Sequence, residues 1–287
     1  MKNKILLLAL FLSLAACSPV TAPEVQPSTS SELVKITVSI LPQKYFAERI
    51  GGENVKVNVM VLPGESPATY EPKAEQMTAL SKSVAYFSIG VPFESAWLEK
   101  IQAANAGMKM VDTTQGITRE ATADGGFDPH IWLSPSLVKI QSETIYKTLT
   151  ELDPSHADSY KANYESFIKD IDSLDAEIRT TLDQTKTKKF IVFHPAWGYF
   201  ARDYGLEMIP VEVGGQEPSA QELATMVQKA KNENIKVVFA QPEFSQKDAQ
   251  TIAEEIGGEV ILISPLDADW LNNLKKVSET FKKVLNQ

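Results

Sequence analysis

The chain has 287 residues, 43% of them hydrophobic and 23% charged, which is enough apolar material for a buried core in one large domain or two smaller ones. A formal net charge of −9 argues against nucleic acid and against an anionic membrane surface as partners. The single cysteine excludes an intramolecular disulfide and a thiolate metal cluster.

Residues 1–16 have the form of a secretory signal peptide: Lys2 and Lys4, an apolar run over 5–12 that is too short to span a bilayer, then Leu14-Ala15-Ala16 before Cys17. Leu-Ala-Ala-Cys resembles a bacterial lipobox, so Cys17 is expected to carry lipid as the first mature residue. Loss of residues 1–16 removes two lysines and leaves 26 basic against 37 acidic residues, a balance of −11. Residues 17–32, rich in Ser, Thr and Pro, read as a flexible tether between lipid and domain. The expected address is outside the cytoplasm, on a membrane facing the periplasm or the cell exterior.

From residue 33 the patterns alternate between strand and helix. Strands are expected at 35–41, 55–62, 85–90 and 108–113, with helices at 43–50, 73–81, 92–104 and 134–152. This is an α/β lobe over 33–152. Residues 153–186 then read as one long helix: Tyr160, Tyr164, Phe167, Ile168, Ile171, Leu174, Ile178 and Leu182 recur every three or four positions. Asp153 is a fitting N-cap, Pro154 a fitting first residue, and Lys186, Lys188 and Lys189 suit the negative end of the helix dipole. A second α/β lobe, 187–287, repeats the first, with strands at 189–193, 207–213, 236–241 and 259–263. The expected architecture is two βα lobes with parallel sheets, bridged by one long helix, with the ligand cleft between them at the C-terminal strand ends.

Two of the three histidines fall at such ends. His194 directly follows the strand Lys-Phe-Ile-Val-Phe and precedes an expected helix at 196–204, whose positive end disfavours an imidazolium. His130 lies in Asp128-Pro129-His130. His156, in the first turn of the long helix, reads as a solvated surface residue. Each histidine alone is also compatible with a hydrogen-bonded structural role.

Five motifs, in order, carry a resemblance: Gly64-Glu65-Ser66-Pro67-Ala68-Thr69-Tyr70-Glu71-Pro72, Asp128-Pro129-His130-Ile131-Trp132-Leu133-Ser134-Pro135, Phe193-His194-Pro195-Ala196-Trp197-Gly198-Tyr199-Phe200, Glu217-Pro218-Ser219 and Gln241-Pro242-Glu243-Phe244-Ser245. Over nearly all of 34–287 the chain resembles the zinc and manganese receptors, the solute-binding lipoproteins of bacterial metal ABC importers. The resemblance implies a divalent metal held in the cleft by His130 and His194, zinc favoured and manganese possible, and delivery to a membrane permease. It also exposes departures. Ala68 stands where the family usually has a histidine ligand, and Ser264 where it has an aspartate. The family's Glu-Pro-Gln is Gln241-Pro242-Glu243, which moves a carboxylate by two residues. Glu243 and Asp267 are the candidate additional ligands, with Asp269, Glu65 and Glu71 nearby.

The expected function is therefore an extracytoplasmic receptor, monomeric and without catalysis, with an atypical ligand set. One alternative is a family member that has lost free-metal binding and serves as a metal-chelate receptor or a surface adhesin. A zinc hydrolase is the remote one, since the chain has no phosphate loop, nucleophile elbow or His-Glu-x-x-His helix.

Overall fold

The computed structural model describes residues 32–122, 125–212, 218–244 and 246–287. Cys17, the expected signal peptide and nearly all of the expected tether lie outside them, as do Glu217 and Ser245 of the motifs. Residues 33–287 form one compact unit, and none of the described helices is long and apolar enough to cross a membrane.

The first sheet holds β1 (Val34–Val38), β2 (Val55–Val59), β3 (Ala85–Ser88) and β4 (Lys109–Asp112) in the order β2-β1-β3-β4. Every pairing is parallel, with Ile36 opposite both Val57 and Ala85. Helices α1 (Leu41–Gly51), α2 (Ala74–Leu80) and α3 (Pro92–Ala104) make the connections, and α4 (Pro135–Leu152) follows. After α5 (Ala157–Asp183) the second sheet repeats the scheme. It contains β5 (Lys189–Val192), β6 (Glu207–Pro210), β7 (Val237–Ala240) and β8 (Glu259–Leu262), in the order β6-β5-β7-β8 and again wholly parallel. Its helices are α6 (Gly198–Tyr204), α7 (Ala220–Asn232), α8 (Lys247–Ile256) and α9 (Trp270–Leu285). Each sheet order reverses once, between β1 and β3 and between β5 and β7. Such switch points leave a crevice beyond the strand ends where ligands bind.

The strands end one to three residues earlier than the apolar runs suggest. Ile40, Val61, Ile89 and Ile263 extend past their strands yet are buried, and ladder bonds run on from Val61 N–H to the Ser39 carbonyl and from Ile263 N–H to the Ala240 carbonyl, both at 2.9 Å. A single apolar core runs through both lobes, and a smaller one packs under the outer helices of the second. Trp270 of α9 shows how the halves join. Its ring meets Phe46 of α1 edge-on at 5.1 Å and Phe167 of α5 at 6.3 Å. Its indole Nε1 donates to the Trp132 carbonyl, and Trp132 Nε1 donates to the Pro265 carbonyl, both at 2.7 Å.

The long helix differs from expectation at its start. Residues Pro154–His156 form a 3-10 turn, and the α-helix begins at Ala157. Asp153 does not cap backbone amides there; its carboxylate instead binds His156 Nδ1 at 2.6 Å and the Tyr160 hydroxyl at 2.8 Å. His156 is thus a partly buried structural residue, not a solvated one. At the other end Lys188 Nζ donates to the Leu182 and Asp183 carbonyls at 2.7 and 3.1 Å, as a cation at a helix C-terminus should. Helix α5 packs on α1 and α4 on one side and on α6 and α9 on the other. Tyr160, Phe167, Ile171, Leu174, Ile178 and Leu182 are buried along it.

Candidate metal centre

His130 is set by its own tripeptide. Asp128 Oδ1 accepts the His130 backbone N–H at 2.9 Å and faces its ring Nδ1 at 2.6 Å, an Asx-type turn with Pro129 at its middle. The other carboxylate oxygen lies 3.2 Å from where a β-carbon on Gly198 would stand, so only glycine leaves it that berth without crowding. Tyr199, the next residue in α6, donates its hydroxyl to the Asp128 carbonyl at 3.0 Å. Beyond His130 the chain makes a buried 3-10 turn, Ile131–Leu133, and Ser134 caps α4 by accepting the Leu137 N–H.

His194 leaves β5 at the second switch point. Gln241, at the end of β7, clasps its backbone from both sides: Oε1 accepts the His194 N–H at 3.2 Å and Nε2 donates to the His194 carbonyl at 2.9 Å. A primary amide suits this double role, which a carboxylate cannot fill. The β5–β6 ladder runs on past the strands through Glu212 N–H to the Phe193 carbonyl, and this brings Glu212 Oε2 to 2.9 Å from His194 Nδ1. Phe244 stacks on the imidazole at 4.4 Å. Burial pushes His194 below the usual histidine range; the bond to Glu212 opposes that shift and the neighbouring His130 adds to it. The expected helix dipole is not the cause, since α6 begins only at Gly198.

The two rings meet at Nε2, 3.3 Å apart, with planes 72° to one another. Each Nδ1 faces a carboxylate, which fixes its proton there and leaves the Nε2 lone pair as the free donor of a neutral ring. Two Nε2 lone pairs this close repel unless a cation or a proton is shared between the rings. Nitrogens bound at about 2.0–2.1 Å to one tetrahedral ion stand about 3.3–3.4 Å apart, the spacing found here.

The other candidates do not gather around that point. Among the described residues no three of His, Cys, Asp and Glu are placed to hold one ion. Glu243 lines a neighbouring cavity, where Ser264 Oγ donates to its Oε1; its Oε2 is buried and lacks a partner among the described residues. Burial pushes this carboxyl up, with the Ser264 bond opposing. Asp267 lines the same cavity from an exposed position and binds the Asp269 N–H at 2.8 Å. Ala68, Glu65, Glu71 and Asp269 are exposed. Sequence reasoning missed Glu212 and Gln241 as partners of His194. Their one signal is position, a polar residue ending an apolar strand run beside the histidine strand.

Comparison with known proteins places these features in a family. The family model described as "Zinc-uptake complex component A periplasmic" (ZnuA) matches residues 36–284. The high-affinity zinc uptake system protein ZnuA of Bacillus subtilis is 28% identical over 278 residues, which cover 90% of this chain and 86% of that one. A crystal structure of ZnuA, 50% identical, superposes with a TM-score of 0.86 and covers 88% of this chain and 100% of its own. A ZnuA deletion mutant with zinc bound, also 50% identical, gives the same TM-score over 89% of this chain and 99% of its own. With two parallel α/β lobes, a long bridging helix and a histidine pair at the strand ends, the chain belongs to the ZnuA family of periplasmic zinc-uptake components.

Proposed function

We propose that the protein is the extracytoplasmic receptor of a metal ABC importer, that it captures zinc between His130 and His194, and that it hands the ion to a membrane permease without chemistry. The observation that carries this reading is the pair of Nε2 atoms, each backed by a carboxylate at Nδ1 and separated by the spacing one tetrahedral zinc imposes. Zinc is preferred over manganese because both donors are imidazoles, whereas manganese favours carboxylate and other oxygen donors. Anchoring through lipid on Cys17 and action as a monomer belong to the same reading, with residues 17–32 as tether, 33–152 and 187–287 as the lobes and 153–186 as the bridge. Zinc found in the 50%-identical ZnuA deletion mutant supports it.

Titration calorimetry of the chelator-stripped protein tests the proposal. Zinc is expected to bind at one equivalent and more tightly than manganese, and a His130→Ala, His194→Ala double variant is expected to lose at least a hundredfold in zinc affinity. A double variant that binds zinc as tightly as the parent would refute the assignment.

A further inference from the structure

The stretch from His194 to Tyr199 serves both halves of the site. It supplies one imidazole at its start, and at its end it grips the chain that leads to the other. The Tyr199 side chain is fully buried. Its hydroxyl accepts the Glu120 N–H at 2.9 Å and donates to the Asp128 carbonyl at 3.0 Å. Those two residues already face each other: the Asp128 N–H donates to the Glu120 carbonyl at 2.8 Å, and Ala121 bridges Phe127 beside them. The Asp128 backbone is therefore held at both its N–H and its carbonyl. Its carboxylate is left to meet the His130 N–H and Nδ1.

Arg202, one turn further along α6, closes this contact from outside. Its guanidinium lies 5.0 Å from the centre of the Tyr199 ring and donates to Glu120 Oε1 at 3.0 Å. Burial raises the phenol above its ordinary value of 10, with the Glu120 N–H opposing, so the donated proton is present at neutral pH. A phenylalanine would fill the same space but could neither accept from Glu120 nor donate to Asp128. Resting on the zinc-receptor reading above, we propose that Tyr199 is a positioning residue: acting through Asp128, it sets the His130 ring against His194 at the spacing one zinc ion needs. It acts without touching the ion. A side chain of the second lobe thereby places the histidine of the first, and donors placed before the ion arrives spare the cost of ordering them on binding.

The test compares the chelator-stripped full protein with Tyr199→Phe. In the zinc-free parent, amide hydrogen exchange read by NMR is expected to show the Glu120 N–H protected, although Glu120 itself is exposed. In the variant, the Glu120 and His130 amides are expected to exchange about tenfold faster, while the His194 amide, held by Gln241, keeps the parent's rate. Zinc affinity is expected to fall about five- to tenfold. That loss is expected to vanish in an Asp128→Ala background and to persist in a Glu212→Gln background, because only the first removes the carboxylate through which Tyr199 acts. An unprotected Glu120 amide in the parent, a result that stands however the variant folds, would overturn the positioning role and leave the zinc reading standing. So would an unchanged zinc affinity in the variant, or the same further loss in both backgrounds. A parent that binds no zinc would overturn both.

Discussion

At the residue scale, the site is defined by what stands behind each histidine as much as by the histidines. Asp128 and Glu212 face the Nδ1 atoms, which in the proposed site leaves Nε2 as the metal donor. Asp128→Asn or Glu212→Gln is accordingly expected to weaken zinc binding about 10- to 100-fold with no change in stoichiometry, as read by competition with a fluorescent zinc chelator. Proton competition has a defined direction. His194 lies below the ordinary histidine value of 6.5, chiefly through burial, so its ring is neutral at pH 7.5. Zinc affinity is expected to fall as pH is lowered from 7.5 to 5, because protons take the same nitrogens. Equal affinity at pH 7.5 and pH 5 would contradict imidazole ligation. His130 and His194 were legible in the sequence because strand-end positions and Pro-flanked motifs mark them. Their carboxylate partners were not: these depend on the β5–β6 ladder carrying Glu212 forward and on Gly198 admitting Asp128.

At the scale of elements, helix α5 is the best-read part of the chain. Its three-to-four spacing identified the buried face, and all six fully buried residues were among the eight anticipated. Its first turn was misread because Asp153 suits a backbone cap equally well, and only the approach of His156 and Tyr160 directs its carboxylate to side chains. Ile171→Ala, at a position with no exposure between the two lobes' helices, is expected to cost about 2–5 kcal/mol in urea denaturation of the zinc-free protein. A loss below 1 kcal/mol would mean that α5 does not hold the lobes together. Strand C-termini were overextended for a different reason. Apolar runs report burial, and Ile40, Val61 and Ile263 stay buried beyond the last residues of their strands.

At the scale of the whole molecule, the lobes share one apolar core, two indole hydrogen bonds and a helix of 27 residues, about 40 Å long, packed against both. Separating them would expose Trp132 and Trp270 and break those bonds together, so wide hinge opening is disfavoured. Small-angle scattering is expected to show nearly the same radius of gyration with and without zinc; a large change would contradict a rigid bridge. Fold class and cleft position were both legible from alternating strand and helix patterns. The coordination sphere was less so: Ala68 and Ser264 stand where the resemblance implies a histidine and an aspartate, and any further donors depend on tertiary contacts that no spacing encodes.

The central claim is that one zinc ion is shared by two imidazoles and by no third side-chain donor of the described site. Zinc K-edge X-ray absorption, on protein loaded with one equivalent of zinc in buffer free of amino acids and chelators, reads this directly. The expected spectrum has two imidazole nitrogens at about 2.0–2.1 Å, with the remaining shell made of light oxygen donors. A zinc shell without imidazole scattering, or a His130→Ala, His194→Ala variant giving the parent's spectrum, would contradict it.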